Sequence, residues 1–118
     1  MADFEFIQWL SEWLENQTHF AFEWDLGNRT KNFVKHGITI KEAESVFGQM
    51  EAIRVLGEQV HPKVSEPRYG ILGLTNDLKH VFVCFTIRGS GLRIINIRKM
   101  NKKERRLYAE LCEERKRL

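Results

Sequence analysis

The feature that most narrows the fold is the stretch 80–88, His-Val-Phe-Val-Cys-Phe-Thr-Ile-Arg. A strand shows alternate side chains to opposite faces. This run is apolar in both phases, with Val81, Val83, Phe85 and Ile87 in one and Phe82 and Cys84 in the other, so it needs cover on both sides. It therefore predicts a central strand with a packed layer above and below. Its neighbours carry the same period. Residues 50–56, 69–75 and 92–100 read as three more strands, separated by residues 57–67, by Asn76-Asp77 and by Gly89-Ser90-Gly91. Such short connections join antiparallel partners, because a parallel return needs a crossover of a dozen residues or more. Four strands in a meander are the expected core, and the alternating segment 20–24 is a fifth candidate.

Helical patterns flank the sheet. Phe6, Leu10, Trp13 and Leu14 fall at helical spacing among acidic residues, which predicts an amphipathic helix over residues 4–16. A second helix over residues 28–36 is expected to stop at Gly37, a residue that enters the left-handed region at little cost. Thr39 with Glu42 three residues on has the capping-box pattern and opens a helix over residues 40–47. Asn101 caps a last helix, 102–116, with Leu107, Leu111 and Cys112 toward the sheet. The order predicts an α+β fold: an antiparallel sheet of four to five strands, two helices before it, one after it, and the extra amphipathic helix at the start.

With 118 residues the chain has enough material for one core and too little for two. Hydrophobic residues at 42% and charged residues at 30% exclude a mostly disordered or collagen-like chain. The net charge of +3 is unevenly spread. Residues 1–19 carry four acidic side chains and no Lys or Arg, which leaves +7 on the remainder. This divides an acidic helical extension, 1–19, from a basic domain, 20–118, whose natural partners are polyanions. Cys84 and Cys112 have neither CxxC spacing nor a His cluster beside them, so neither a zinc site nor a disulfide framework is expected and a reducing cytoplasm fits. The first residues lack the pattern of a signal peptide and no apolar run reaches membrane-spanning length, so no membrane partner is expected.

Cleaving RNA without a metal requires activation of the ribose 2′-hydroxyl, stabilisation of a phosphorane and protonation of the departing 5′-oxygen. Arg grips two phosphate oxygens at once and His exchanges protons near neutral pH. The metal-dependent route needs gathered carboxylates, which the sequence does not pattern, so no metal and no cofactor is expected. Arg68 opens one predicted strand, Arg88 closes the next, and Arg93, Arg98 and Lys99 lie along the last. Pairing across Gly89-Ser90-Gly91 brings Arg88 near Arg93, whereas the period of two sends Arg93 and Arg98 to opposite faces unless a bulge intervenes. Each arginine also has the plain reading of a solvated or helix-pairing cation. His36, in Lys35-His36-Gly37, reads equally well as a cation at a helix C-terminus. His19, His61 and His80 share no spacing and read as surface histidines.

Several of these segments together resemble one family. Phe22-Glu23-Trp24-Asp25, Asn32 with Lys35-His36-Gly37-Ile38, Glu42-Ala43 and Val46-Phe47 are similar to the opening of the BrnT ribonuclease toxins of type II toxin–antitoxin pairs. Glu66 and Arg68 with Gly73, Thr86-Ile87-Arg88-Gly89, and Arg93-Ile94-Ile95 followed by Arg98-Lys99 and Glu104-Arg105-Arg106 continue the likeness over residues 20–116. The chain departs from the family pattern at Asn96–Met100, where smaller residues usually flank the last arginine, and in its acidic N-terminal helix. The resemblance implies a RelE-like fold, cytoplasmic cleavage of cellular RNA that arrests translation, and neutralisation by a BrnA-type antitoxin. A homodimer and a toxin–antitoxin heterotetramer both stay open. Within that frame Arg88 and Arg98 are expected to hold the scissile phosphate, Arg68 to neutralise its growing charge, and His36 or Lys35 to assist proton transfer. Lys31, Lys35, Arg93 and Lys99 are the expected contacts to the RNA backbone. The competing expectation is a non-catalytic basic module that docks nucleic acid or an acidic protein without cutting it.

Overall fold

A computed structural model describes residues 8, 9, 12, 21–23, 37–59, 67–88 and 91–116. Five strands form one sheet: β1 (Ala21–Glu23), β2 (Arg54–Gln59), β3 (Arg68–Leu74), β4 (His80–Arg88) and β5 (Gly91–Lys99), in the order β1-β5-β4-β3-β2. The strand that is apolar in both phases stands in the middle. Val81, Val83 and Phe85 pack on one face with Ile71, Leu92, Ile94 and Ile97, against Ile38, Ala43, Val46 and Phe47 from the segment that carries helix α1 (Ile40–Ser45). Phe82 and Cys84 pack on the other face with Leu72, Met100 and Tyr108, the last from helix α2 (Lys102–Lys116). Strands β2 to β5 form the expected antiparallel meander.

The edge corrects one expectation. Strand β1 pairs with β5 in parallel, Phe22 opposite Leu92, so the five-stranded sheet is mixed. Between β1 and β2 the chain places α1 on one sheet face and re-enters at the opposite edge. A connection of that length imposes no hairpin and leaves the direction of β1 free.

Capping places α1 as the sequence indicated. The Thr39 hydroxyl accepts from the Glu42 N–H at 3.1 Å, and the Glu42 carboxylate accepts from the Thr39 N–H at 3.0 Å. The helix ends sooner than expected, at Ser45, whose hydroxyl donates back to the Glu42 carbonyl, and the chain tightens into 3-10 turns at Val46–Gly48 and Met50–Ala52. That second turn delays β2 from residue 50 to Arg54. Gly37, at φ +66°, holds the left-handed conformation expected of a helix stop, while the helix expected over 28–36 lies outside the described residues.

Of the N-terminal segment, Gln8, Trp9 and Glu12 have helical backbone. The Trp9 ring lies 5.7 Å from that of Tyr69, and a row of ring contacts continues from Tyr69 to Phe85, Phe47 and Phe22. Trp13 and Leu14 lie outside the described residues. Among the described residues no helix is long and apolar enough to cross a membrane.

Candidate functional site

Two β-bulges at the same level of the sheet decide where the arginines stand. On β5 the register runs Phe85 opposite Ile94 and then Cys84 opposite Asn96, so Ile95 is the extra residue. On β2 it runs Ile71 opposite Val55 and then Gly70 opposite Gly57, so Leu56 is extra. An extra residue restarts the alternation of faces. Leu92 and Ile94 before the bulge and Ile97 after it all reach the α1 face. Arg93 and Arg98, which strict alternation would send to opposite sides, therefore share the α2 face.

The same face collects the others. Arg93 is opposite Thr86 on β4, and one further step of the β3–β4 ladder beyond Tyr69–Phe85 sets Arg68 on the other side of Thr86. The Thr86 hydroxyl donates to the carbonyl of Pro67 at 2.6 Å, which ties the start of β3 to this level. Arg68 is paired in turn with Gln59 of β2. A lateral row, Gln59–Arg68–Thr86–Arg93, thus crosses four strands, with Arg68 and Arg93 two strand spacings apart, about 10 Å. Arg88 ends β4 in register with Gly91, two residues past Thr86 and so at a position of the same parity. Electrostatics agree with this placement. Burial pushes the Cys84 thiol up, and the Arg68 charge across the strand opposes that rise.

Arg98 stands apart from this row. Its partner across the strands is Phe82, four residues along β4 from Thr86, about 14 Å away. The Arg98 guanidinium lies 4.4 Å from the Phe82 ring centroid and donates from Nη1 and Nη2 to the two oxygens of Glu104, at 2.7 and 3.0 Å. Glu104 also accepts from the Asn101 N–H at 3.0 Å while its own N–H donates to Asn101 Oδ1 at 2.8 Å, a capping box that opens α2. The fork therefore clamps the first turn of α2 to β5. Lys99 is opposite Val81 and belongs to the α1 face. Lys31, Lys35 and His36 lie outside the described residues. Gly37, next in the chain after His36, has its carbonyl 3.5 Å from Lys79 Nζ, beside the start of β4, whereas Arg88 ends that strand about 27 Å away.

The hydrogen bonds from Arg98 hold the Glu104 carboxyl below its ordinary 4.5, against the opposing effect of burial. A carboxyl lowered in the folded state stabilises the fold fully above its unfolded pKa and loses that contribution as pH falls through the folded value. With Arg98 about a third exposed, the pair is worth no more than about 1 kcal/mol after screening. Urea melts of Glu104→Gln should show a deficit at neutral pH that narrows below about pH 4.5. A deficit that is flat with pH would show that the carboxylate charge contributes nothing.

Gln59 and Asn96, both on the arginine face, were not among the residues that sequence reasoning singled out. The available signal was a change of phase: Leu92 and Ile94 fall in one phase and Ile97 in the other, and glycines interrupt β2 and β3 at Gly57 and Gly70. Among the described residues, no three His, Cys, Asp or Glu side chains gather as metal ligands would.

A family model described as the ribonuclease toxin BrnT of type II toxin–antitoxin systems matches residues 24–104, a span that holds Arg68, Arg88, Arg93 and Arg98 and stops at Glu104. The crystal structure of the Brucella abortus ribonuclease toxin BrnT is similar at 26% sequence identity, covering 71% of this chain and 100% of that one, with a TM-score of 0.53. No curated protein matches the chain.

Proposed function

The chain belongs to the BrnT family of ribonuclease toxins of type II toxin–antitoxin systems, and on that footing we propose that it is a metal-independent endoribonuclease that cuts cellular RNA and so arrests translation. The observation that carries the mechanism is the row in which Arg68 and Arg93 flank Thr86 on one sheet face, with the Arg88 position next along β4. Guanidinium groups from separate strands, fixed by the ladder and not by flexible loops, are preorganised to take the charge that builds on a phosphorane. In this reading Arg68, Arg88 and Arg93 hold the scissile phosphate. Arg98, already oriented by Glu104, uses its remaining N–H donors on a neighbouring phosphate of the same strand. Lys99 on the α1 face, and Lys31, Lys35 and His36 ahead of Gly37 in the chain, extend the backbone contacts away from the scissile phosphate. No resident metal enters the reaction.

The same reading takes the fold as RelE-like, residues 1–19 as an acidic helical addition anchored through Trp9 on Tyr69, the cytoplasm as the site of action, and a BrnA-type antitoxin as the neutralising partner. The test is cleavage of single-stranded RNA by the purified protein in excess EDTA. Expected are fragments ending in 2′,3′-cyclic phosphate and 5′-hydroxyl, and none when the cut site carries a 2′-O-methyl group. Cleavage that EDTA abolishes would overturn the metal-free mechanism. The rival reading, a docking face without catalysis, draws on Arg98 being already occupied by Glu104, and RNA that is bound yet left intact would select it.

A further inference from the structure

We infer that the α2 face also reads a nucleobase: the carboxamides of Gln59 and Asn96 hydrogen-bond to the edge of one unstacked RNA base beside the phosphate held by Arg68 and Arg93. This rests on the nucleic-acid reading above and adds to it a specificity site. The register supplies the shape. One level from the arginine row runs a second lateral row, Gly57, Gly70, Cys84 and Asn96. Two of its members have no side chain and the third is a small thiol, so the sheet surface steps down between the arginines and the α2-covered level of Phe82. The two bulges sit at this level and concentrate the local twist there.

The amides lie at either end of the step. Gln59 reaches across from β2, its Cγ, Cδ and Nε2 standing 3.1, 3.0 and 2.8 Å from where a Cβ on Gly70 would be, so the absence of a side chain at Gly70 is what admits it. Its Nε2 donates to the Gly57 carbonyl at 3.4 Å, a long bond that leaves the other N–H and the carbonyl oxygen uncommitted among the described residues. Asn96 is half-buried, and among the described residues its carboxamide makes no hydrogen bond. Between them Cys84 keeps a neutral thiol, since burial pushes it up, and belongs to the apolar cluster under α2, whose rim borders the two amides.

Paired donors and acceptors at the edge of a flat apolar surface match what a splayed-out base presents, and arginine planes beside it suit both its phosphate and its π face. An acidic peptide would be satisfied by the arginines alone and would leave two carboxamides idle, which is why the structure favours a base. The test uses 2′-O-methyl tetranucleotides of A, C, G and U, which cannot be cut by 2′-hydroxyl attack, with binding followed by fluorescence anisotropy. The protein should prefer at least one base by about tenfold, the discrimination typical of one amide–base pairing. Asn96→Ala and Gln59→Ala should flatten that preference, while the shape-preserving Asn96→Asp should change which base is preferred, because it replaces donors with acceptors. Arg68→Ala should weaken all four equally. Equal binding of the four by the parent protein, or unchanged ratios in the amide variants, would overturn the inference. RNA that is cut while these oligonucleotides bind alike would sink the base site alone and leave the nuclease standing.

Discussion

Alanine at Arg68 is expected to slow RNA cleavage about a hundredfold while leaving thermal stability near that of the parent, because a transition-state contact to developing charge is worth about 3 kcal/mol. The expectation of intact folding comes from its surroundings: Arg68 is half-buried at the first residue of β3, and among the described residues no carboxylate pairs with it. Arg68→Lys should recover only part of the rate, since an ammonium is a point charge and cannot grip two oxygens in one plane. Arg88→Ala should show a loss of similar size. Single-turnover cleavage measured beside a thermal melt separates the two effects, and cleavage at the parent rate in both alanine variants would remove these residues from the mechanism. Arg98→Ala should differ in kind, lowering rate and stability together, because it leaves Glu104 without its partner. Adding Glu104→Gln, which removes the unpaired charge and keeps an acceptor for the Asn101 N–H, should restore part of the stability and none of the rate.

Phe85→Ala is expected to cost about 3–5 kcal/mol, a large share of the roughly 5–15 kcal/mol that holds a domain of this size folded. Phe85 is fully buried on the central strand, with Phe47 edge-on at 5.4 Å and Tyr69 at 5.9 Å, so its removal opens a cavity between the sheet and α1 that neither neighbour can close without leaving its own partner. Urea unfolding should show the midpoint fall with the slope unchanged. Activity should fall with the folded fraction, which distinguishes this variant from Arg68→Ala, where the protein stays folded and the chemistry fails. A midpoint within error of the parent would mean that the aromatic row from Trp9 to Phe22 is not a stabilising part of the core.

Much of the α2 face was legible in advance, though not its geometry. Arg68, Arg88, Arg93 and Arg98 were visible as cations at strand positions, and the doubt lay in whether Arg93 and Arg98 share a face. The signal lies in the string Leu92-Arg93-Ile94-Ile95-Asn96-Ile97, where the apolar phase changes midway. Ile95 is as apolar as its neighbours, however, and nothing local says which of Ile94 and Ile95 the α1 core will claim. The packing decides it, with Ile94 and Ile97 in the core under α1 and Ile95 in the cluster under α2. Gln59 stayed hidden for a related reason, since its reach over Gly70 depends on a second bulge and on a partner strand across the intervening connection.

Features set by nearest neighbours along the chain were readable from residues alone. The two-phase apolar run made β4 central, the Thr39–Glu42 pair and the Asn101 cap started α1 and α2, and the ordered motifs indicated the family. Each is a local matter of hydrogen bonding within four residues or of period along one strand. The parallel seat of β1, the two bulges and the clamp of Glu104 on Arg98 belong to the folded molecule. Each depends on which distant segment lies alongside, and many such pairings satisfy the same local pattern until the core is packed.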